Sequence, residues 1–320
     1  MKKNKIFVAG HNGMVGSAII RKLKKNKKNI IIVVNKKKVN LTNQKKVLSF
    51  LKKSKPNQIY IAAAKVGGIM ANYKAPADFI YINSIIACNL IHSAMLLKIK
   101  KILFLGSSCI YPKVTKLPIS EKQLLTSDLE ITNEAYSIAK ILGLKLCESY
   151  NRQYKKLGID YRSVMPTNLY GINDSYHDED SHVIPALLQR LHYAKKLKKK
   201  IVKVWGSGKA KRDFLYVDDL ADACVYLMNI SKKKFYKKNI YRNSHINIGS
   251  GKEISIKSLV KKISKIIGYK GKIIFDHTKP DGTLRKILNN KKLKEIGWKP
   301  KTSLTEGLKI SYEDFQKKIS

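Results

Sequence analysis

Short apolar runs alternate with longer, helix-like stretches through the first half of the chain. An apolar run bounded by turn residues predicts a buried strand, and a run with helical periodicity predicts a helix. The predicted strands are 6–9, 30–34, 58–64, 102–105 and 160–165, and the longest predicted helices are 79–97 and 135–154. Strands alternating with helices in this way predict a parallel sheet with right-handed crossovers. The expected fold class is therefore α/β, a doubly wound parallel sheet of the Rossmann type.

This alternation stops near residue 171. A polar loop follows at 171–180, and the remaining pattern predicts a helix opening at 181–185, a strand near 203–205 and a helix at 220–228. A further strand and helix are predicted at 245–248 and 255–267. A chain of 320 residues exceeds what one core usually serves. We predict a nucleotide-binding domain at 1–170, with a return segment near 214–250, and a smaller, mainly substrate-binding α/β domain at 171–320.

The first strand runs directly into a glycine-rich loop. The loop reads Gly10, His11, Asn12, Gly13, Met14, Val15 and Gly16, and a helical stretch follows it. Glycines let the backbone turn sharply and approach a pyrophosphate, while the N–H groups of the following helix point at the anion. The loop therefore predicts a dinucleotide site.

The second strand ends in a basic segment. Asn35 is followed by Lys36, Lys37 and Lys38, with no acidic residue to hold a ribose 2′-hydroxyl. An acidic residue at this point favours NAD, and basic residues admit the extra phosphate of NADP. We therefore predict NADP(H), with Lys36 as the best contact. The alternative is that Lys36 is one more solvated lysine in a lysine-rich chain.

A candidate catalytic set lies around the fourth strand and the helix after it. Ser107 follows the strand, where its side chain should emerge at the carboxyl edge of the sheet. Tyr136 and Lys140 are four residues apart, so a helix places them on one face. Of the 17 tyrosines only Tyr136 has a lysine at that spacing. A nearby ammonium should lower the pKa of the phenol and make it a better proton donor. The alternative is an exposed pair on an amphipathic helix.

The excess of basic residues suggests an anionic partner, but the distribution of these residues along the chain does not support one. Lys and Arg number 65 against 22 Asp and Glu, a formal net charge of +43. The lysines are scattered over predicted loops and helix faces, so we expect solvated surface and no nucleic-acid binding.

The cysteines have no metal-binding spacing; they are Cys88, Cys109, Cys147 and Cys224. We predict no metal, three buried thiols apart from Cys109, no membrane span and a cytoplasmic protein.

Several longer strings carry a family resemblance. They are 10–18, 62–69, 106–112, 146–154, 165–171 and 181–187. These strings resemble the GDP-L-fucose synthases, and the Ser, Tyr, Lys set resembles the triad of the short-chain dehydrogenase/reductase superfamily to which they belong. The resemblance implies the substrate GDP-4-dehydro-6-deoxy-D-mannose, epimerisation at C3 and C5, NADPH reduction at C4, and a homodimer built on helices 79–97 and 135–154.

The same resemblance assigns site residues. Cys109 and His182 would be the acid and base of epimerisation. Arg190, Trp205, Arg212 and Asp281 would contact the GDP-sugar. The cofactor contacts would be the glycine loop together with Lys36, Asn40, Leu41, Leu105, Gly106, Ser107, Ser108, Lys140, Pro166, Thr167, Asn168, Leu169 and His182.

This chemistry explains why a thiol and an imidazole would be needed. C3 and C5 flank the C4 ketone, so removal of either proton gives an enolate whose charge rests on the oxygen held by Ser107 and Tyr136. Inversion returns the proton from the opposite face, which requires a separate acid and base. From the residues alone, a small buried hydrophobe is the favoured interpretation of Cys109, and His177 is as good a candidate as His182.

One position departs from the family pattern. Many members carry Arg after the histidine of the glycine loop, where it can meet the 2′-phosphate, whereas this chain has Asn12. We therefore expect a weaker preference for NADP. Two rival functions stay open: a nucleotide-sugar 4-epimerase or dehydratase of the same superfamily, and a noncatalytic protein that binds polyanions.

Overall fold

A computed structural model describes residues 3–176, 181–236, 242–278 and 283–319. Its strands are β1 (Asn4–Ala9), β2 (Asn29–Ile32), β3 (Gln58–Ile61), β4 (Lys101–Leu105), β5 (Asp160–Pro166), β6 (Asn168–Tyr170), β7 (Ile201–Trp205), β8 (Lys211–Tyr216), β9 (Ile246–Ile248), β10 (Glu253–Ser255), β11 (Lys272–Asp276) and β12 (Arg285–Lys286). Its helices are α1 (Met14–Lys24), α2 (Gln44–Ser54), α3 (Ile69–Lys74), α4 (Pro76–Leu96), α5 (Glu134–Gln153), α6 (Val183–Lys196), α7 (Val217–Asn229), α8 (Lys232–Tyr236), α9 (Ile256–Ile267), α10 (Lys291–Ile296) and α11 (Leu304–Ile319).

The main sheet is parallel throughout, in the order β2, β1, β3, β4, β5, β9. Helices α1 and α7 cover one face, and α2, α4 and α5 cover the other. The chain reverses its direction of travel across the sheet between β1 and β3. In doubly wound sheets, ligands bind outside the carboxyl ends of the strands at such a reversal. The predicted fold class is confirmed.

The observed boundaries differ from the predicted ones where apolar residues continue past the sheet. The strand predicted at 30–34 ends at Ile32, and Val33 is exposed. The strand predicted at 58–64 ends at Ile61, because the chain then passes directly against Gly10. Helix α4 begins at Pro76, three residues earlier than predicted, since proline suits the first turn of a helix. Helix α2 was not predicted, because its lysines leave only Val47 and Leu51 buried.

The second half of the chain builds smaller sheets. Strand β8 pairs with β6, β10 and β12, and β7 pairs with β11. A core that includes Leu188, Val204 and Ile263 joins α6, α9 and α11 to these strands. Strand β9 and helix α7 instead belong to the main sheet and its cover. The exact division of the chain into domains stays a prediction.

Within the described residues one helix, α4, meets the length and apolarity of a membrane span. No membrane span was predicted from the sequence. Of its most apolar stretch, 56% is buried within the protein, against α2 and α5. Core helices of globular proteins share these properties, and the expectation of no membrane association stays a prediction.

Candidate active site

The glycine loop connects β1 to α1 through a turn that requires glycine at two positions. Gly10 has φ +86°, and a Cβ there would lie 2.6 Å from the backbone nitrogen of Ala63. A Cβ on Gly16 would lie 2.0 Å from the carbonyl oxygen of Gly10. These two glycines let α1 pack closely against the end of β1.

Gly13 is different, because the protein itself does not require glycine there. Its φ is an ordinary −78°, and a Cβ would find its nearest neighbour 3.6 Å away. Gly13 is the N-cap of α1, and no side chain caps the helix or places an acid in its first turn. Open space above an uncapped helix N-terminus fits the pyrophosphate of a dinucleotide. The residues present therefore fit the predicted cofactor.

The other predicted cofactor residues lie at or beyond the carboxyl ends of neighbouring strands. Lys36 is exposed in the segment after β2. Asn40 accepts a hydrogen bond from the Thr42 N–H at 3.1 Å, and the carbonyl of Leu41 accepts one from the side chain of Asn89 at 2.9 Å. Leu105, Gly106 and Ser108 are buried at the end of β4. This arrangement brings these residues to the same edge of the sheet as the glycine loop.

Pro166 ends β5, Thr167 follows it, and Asn168 and Leu169 begin β6. This segment is fixed to β8 through Asp213. The Thr167 hydroxyl and the Asn168 amide donate to the carbonyl of Asp213 at 3.0 and 2.9 Å. The buried carboxylate of Asp213 accepts from the Ser250 N–H at 3.0 Å and from its hydroxyl at 2.5 Å. Burial raises the pKa of Asp213, and the Ser250 bonds oppose this. Asp213 was not singled out from the sequence, since its partners come from distant parts of the chain.

Helix α5 places Tyr136 and Lys140 as the spacing predicted. The Lys140 ammonium lies 5.5 Å from the centre of the Tyr136 ring, and it donates to the carbonyl of Leu105 at 2.9 Å. It also lies 5.2 Å from the centre of the Phe104 ring. A Cβ on Gly143 would lie 2.2 Å from Cζ of Phe104, so glycine permits the close approach of α5 to β4. The alternative of an exposed pair is thereby excluded for Lys140, which is 5% exposed.

The electrostatics differ from the expectation drawn from the sequence. Tyr136 keeps some solvent-accessible surface, but its hydroxyl end is buried, and burial raises its pKa. The charge of Cys109 acts in the same direction, and a hydrogen bond with Ser107 opposes both. Burial lowers the pKa of Lys140 to about 8. The expected lowering of the Tyr136 pKa by Lys140 is therefore wrong for the chain alone, in which Tyr136 is a neutral proton donor.

Cys109 sits in a short 3-10 turn that follows Ser107. Its N–H donates to the Ser107 hydroxyl at 3.2 Å, and its carbonyl accepts from the Ser137 hydroxyl at 2.9 Å. Cys109 is only half-buried, as is Cys88, whereas Cys147 and Cys224 are buried. The expectation of a buried thiol is confirmed for those two and is wrong for Cys88. Because Cys109 is partly buried, its alternative interpretation as a small buried hydrophobe stays open.

His182 lies at the N-terminus of α6, where it is the N-cap residue. The residue is exposed overall, yet nearby protein atoms desolvate the imidazolium and lower its pKa from 6.5. None of the described contacts joins His182 to Cys109. The competing residue, His177, lies outside the described residues.

The predicted substrate residues come from several elements. Arg190 of α6 donates to the carbonyl of Lys203 at 3.1 Å, and Trp205 at the end of β7 is 57% exposed. Arg212 of β8 donates to the carbonyl of Lys211 at 2.9 Å. Asp281 lies outside the described residues.

Lys286 is a further basic residue, and it neighbours Arg212. It lies directly opposite Arg212 in the parallel register of β12 and β8. Residues opposite each other in adjacent strands project from the same face of a sheet. No local pattern distinguishes Lys286, since lysine is common throughout the chain.

Tyr136 is a neutral phenol and Lys140 a buried ammonium, and both lie at the edge of the sheet that carries the glycine loop. This arrangement is typical of enzymes that move a hydride and a proton between a dinucleotide and a carbonyl group. The chain belongs to the NAD dependent epimerase/dehydratase family, whose model matches residues 6–249. It is 49% identical to the GDP-L-fucose synthase of Escherichia coli (strain K12), covering 98% of this chain and 97% of that protein.

Two further comparisons agree. The GDP-L-fucose synthase 1 of Arabidopsis thaliana is 49% identical and covers 99% of this chain and 95% of the relative. A solved structure, the GDP-mannoheptose C4 reductase MlghC from Campylobacter jejuni with NADP bound, is 36% identical, with a TM-score of 0.89 and coverage of 99% of both chains. The resemblance found in the sequence is confirmed.

Proposed function

We propose that this protein converts GDP-4-dehydro-6-deoxy-D-mannose to GDP-L-fucose. The conversion proceeds by epimerisation at C3 and C5 and then by NADPH-dependent reduction of the C4 ketone. The observation that carries the proposal is the convergence of Ser107, Tyr136 and Lys140 with the accessible thiol of Cys109 at one edge of the sheet. The names of the full-length relatives support the substrate.

The reduction uses Tyr136 as the proton donor. Ser107 and Tyr136 hold the C4 oxygen, and the Tyr136 hydroxyl gives its proton to that oxygen as the carbonyl becomes an alcohol. When bound, NADPH supplies the hydride that C4 receives. The Lys140 ammonium stabilises the phenolate that Tyr136 leaves behind. The raised pKa of Tyr136 suits this direction of reaction, because the proton is present at the start.

Epimerisation uses the same oxygen contacts with a different proton path. At C3 and then at C5, one of Cys109 and His182 takes the proton from the carbon, and the C4 oxygen carries the resulting enolate charge. The other member returns a proton to the opposite face. Each inversion therefore leaves the sugar with its original number of atoms and electrons.

Cofactor and substrate contacts follow the assignments made from the resemblance. The glycine loop would hold the pyrophosphate of NADP(H), and Lys36 the 2′-phosphate, with Asn12 weakening that preference. Arg190, Arg212 and Trp205 would hold the GDP portion, with Arg suited to the diphosphate by its fork of donors. Lys286, beside Arg212, adds charge at the same place. Residues 1–170 with the 214–250 segment would bind the cofactor, and 171–320 mainly the sugar nucleotide.

We also propose a cytoplasmic homodimer that binds neither nucleic acid nor membranes. Four cysteines without a disulfide are typical of a reducing compartment. Exposed apolar residues on the paired helices α4 and α5, among them Tyr81 and Ile138, suit an interface between copies. Analytical ultracentrifugation over a range of concentrations tests the dimer, and a monomer throughout would contradict it.

The central test is product identification. Incubation with NADPH and the 4-keto sugar should consume NADPH in a 1:1 ratio with product, and nuclear magnetic resonance should identify GDP-L-fucose. A retained cofactor with no net consumption would instead indicate a 4-epimerase or dehydratase.

The likeness to MlghC favours a second candidate, a C4 reductase without epimerase activity. Reaction in D₂O separates the two, because only epimerisation places deuterium at C3 and C5.

A further inference from the structure

Asn133 occupies the N-cap position of α5 but does not cap the helix. Asparagine is favoured at this position because its side chain accepts a hydrogen bond from the first turn. Asn43 does so at the start of α2, where it accepts from the Lys46 N–H at 2.9 Å. The side chain of Asn133 makes no such bond. Its amide is therefore used for another contact.

That contact is with the thiol of Cys109. The amide nitrogen of Asn133 lies 3.8 Å from the sulfur, within hydrogen-bonding distance for sulfur. The amide oxygen lies 3.2 Å from the hydroxyl of Ser137, which is fully buried. The same hydroxyl lies 2.9 Å from the carbonyl of Cys109. Its single proton is shared with the backbone carbonyl of Asn133 at 3.0 Å, so Ser137 contacts both residues and lies between them.

We propose that Asn133 is a positioning residue that donates its amide N–H to the Cys109 sulfur and stabilises the thiolate needed for proton transfer at C3 and C5. A hydrogen-bond donor favours the charged form of an acid over its neutral form. The inference rests on the function proposed above, and it adds a residue to which the family resemblance gave no role.

The thiol also has titratable neighbours on α5. Among the described residues, Tyr136 and Lys140 respond to the charge of Cys109, and both lie on that helix. Neither is altered by a substitution at Asn133. A change in thiol reactivity with pH in such a variant therefore reports the amide.

Asn133→Ser and Asn133→Asp are the sharpest variants, because serine and aspartate are both good N-cap residues. If Asn133 served only α5, Asn133→Ser would behave as the wild type. In Asn133→Asp the carboxylate beside the sulfur raises the midpoint under either hypothesis, so Asn133→Ser decides between them. The probe is iodoacetamide, with alkylation of each cysteine quantified by peptide mass spectrometry over a range of pH. No sugar or cofactor is needed.

The midpoint of Cys109 alkylation should move up by about one pH unit in Asn133→Ser, and further in Asn133→Asp, whose carboxylate repels the thiolate. Cys88 in the same digest should be unchanged, as should Cys109 in the matched control Asn43→Ser. An unchanged midpoint in either folded variant would overturn the proposal, and thermal melting establishes which variants are folded.

The sugar reaction gives a second readout. Deuterium uptake at C3 and C5 should fall about tenfold near neutral pH in Asn133→Ser, with its acidic limb moved to higher pH. Reduction of an already epimerised ketone should stay within about twofold of wild type. A wild-type protein that takes up no deuterium would contradict the proposed function, and the alkylation profile would still decide the role of Asn133.

Discussion

The proposed catalytic residues and the proposed substrate contacts are built in different ways. The end of β4 and the start of α5 form what we call the catalytic corner: Ser107, Cys109, Tyr136 and Lys140, which local contacts hold in place. The proposed substrate contacts, which we call the basic face, are Arg190, Trp205 and Arg212 with the neighbouring Lys286. The residues of the basic face come from separate elements, and Trp205 is largely exposed. The proposed function therefore combines fixed geometry where bonds change with adjustable side chains where the ligand would be held.

The largest effect should come from Tyr136→Phe. Phenylalanine keeps the edge contact with Phe79, whose ring centre lies 6.3 Å from that of Tyr136, and loses only the hydroxyl. Loss of a general acid typically costs a factor of about 10²–10⁴, so NADPH oxidation should fall by about 10³. Deuterium exchange at C3 and C5 should persist in part, since Cys109 and His182 stay in place.

Tyr150→Phe on the same helix is the matched control. Its hydroxyl contacts His92, away from the catalytic corner, and turnover should remain near that of wild type. If Tyr136→Phe kept full reductase activity, the catalytic corner would have no catalytic role.

Cys109→Ser should produce the next largest effect, with the opposite pattern. Serine keeps the backbone contacts of the turn but is a much weaker acid than a thiol, so deuterium uptake should fall by about 10². Reduction of an already epimerised ketone should fall far less. The same substitution at Cys88 serves as the control. Equal losses in both steps would indicate a structural thiol.

On the basic face, Arg212→Ala should act mainly on substrate binding. Loss of hydrogen bonds to a charged diphosphate corresponds to about a 10-fold to 100-fold rise in KM for the GDP-sugar, with kcat changed much less. Steady-state kinetics with Arg152→Ala as the control gives the comparison. A fall in kcat at unchanged KM would place Arg212 with the catalytic corner instead.

The pH dependence of reduction should report Lys140. Its pKa is lowered to about 8, so the ammonium is charged below that pH and neutral above it. Reductase activity should therefore fall as the pH rises through about 8, by up to tenfold per unit once the lysine is neutral. In Lys140→Met the reductase activity should be low at every pH, and the fall in activity above about pH 8 should disappear. A decline that persists in the variant would belong to another group.

The smallest effect concerns the choice of cofactor. Asn12 is exposed, and its carbonyl accepts a hydrogen bond from the Asn173 side chain at 2.8 Å, which a change of side chain leaves intact. Asn12→Arg should raise the ratio of kcat/KM for NADPH over NADH by about fivefold through a charge-assisted contact with the 2′-phosphate. Lys36→Ala should lower the same ratio, with Lys24→Ala as the control. An equal response of both cofactors would remove these residues from the 2′-phosphate site.

The catalytic corner was the more predictable side, because its geometry is local. A helix repeat fixes the relation of Tyr136 to Lys140, and the end of a buried strand fixes the place of Ser107. The direction of the Tyr136 pKa shift was not predictable, since burial depends on the packed surroundings. The contact between Asn133 and the Cys109 sulfur was not predictable either, because the sequence alone indicates an ordinary N-cap residue.

The basic face was less predictable, because its residues meet only through tertiary structure. Lys286 faces Arg212 through a strand register that no local pattern specifies. Arg190 and Trp205 were predicted through the family resemblance. Their residue types and local sequence do not distinguish them from other basic or aromatic residues. Asp213 of β8 contacts Thr167 and Ser250, which are distant from it in sequence. Its role could therefore be recognised only from the folded structure.

A single hydrogen atom at residue 143 sets the width of the catalytic corner. With a methyl group there, the Phe104 ring or the whole of α5 would have to move outward, since the two would lie 2.2 Å apart. The lysine stem has a fixed length, so an outward step of the helix would carry the ammonium away from the Leu105 carbonyl. Reactivity at the sugar thus depends on a position that neither the nucleotide nor the sugar needs to touch.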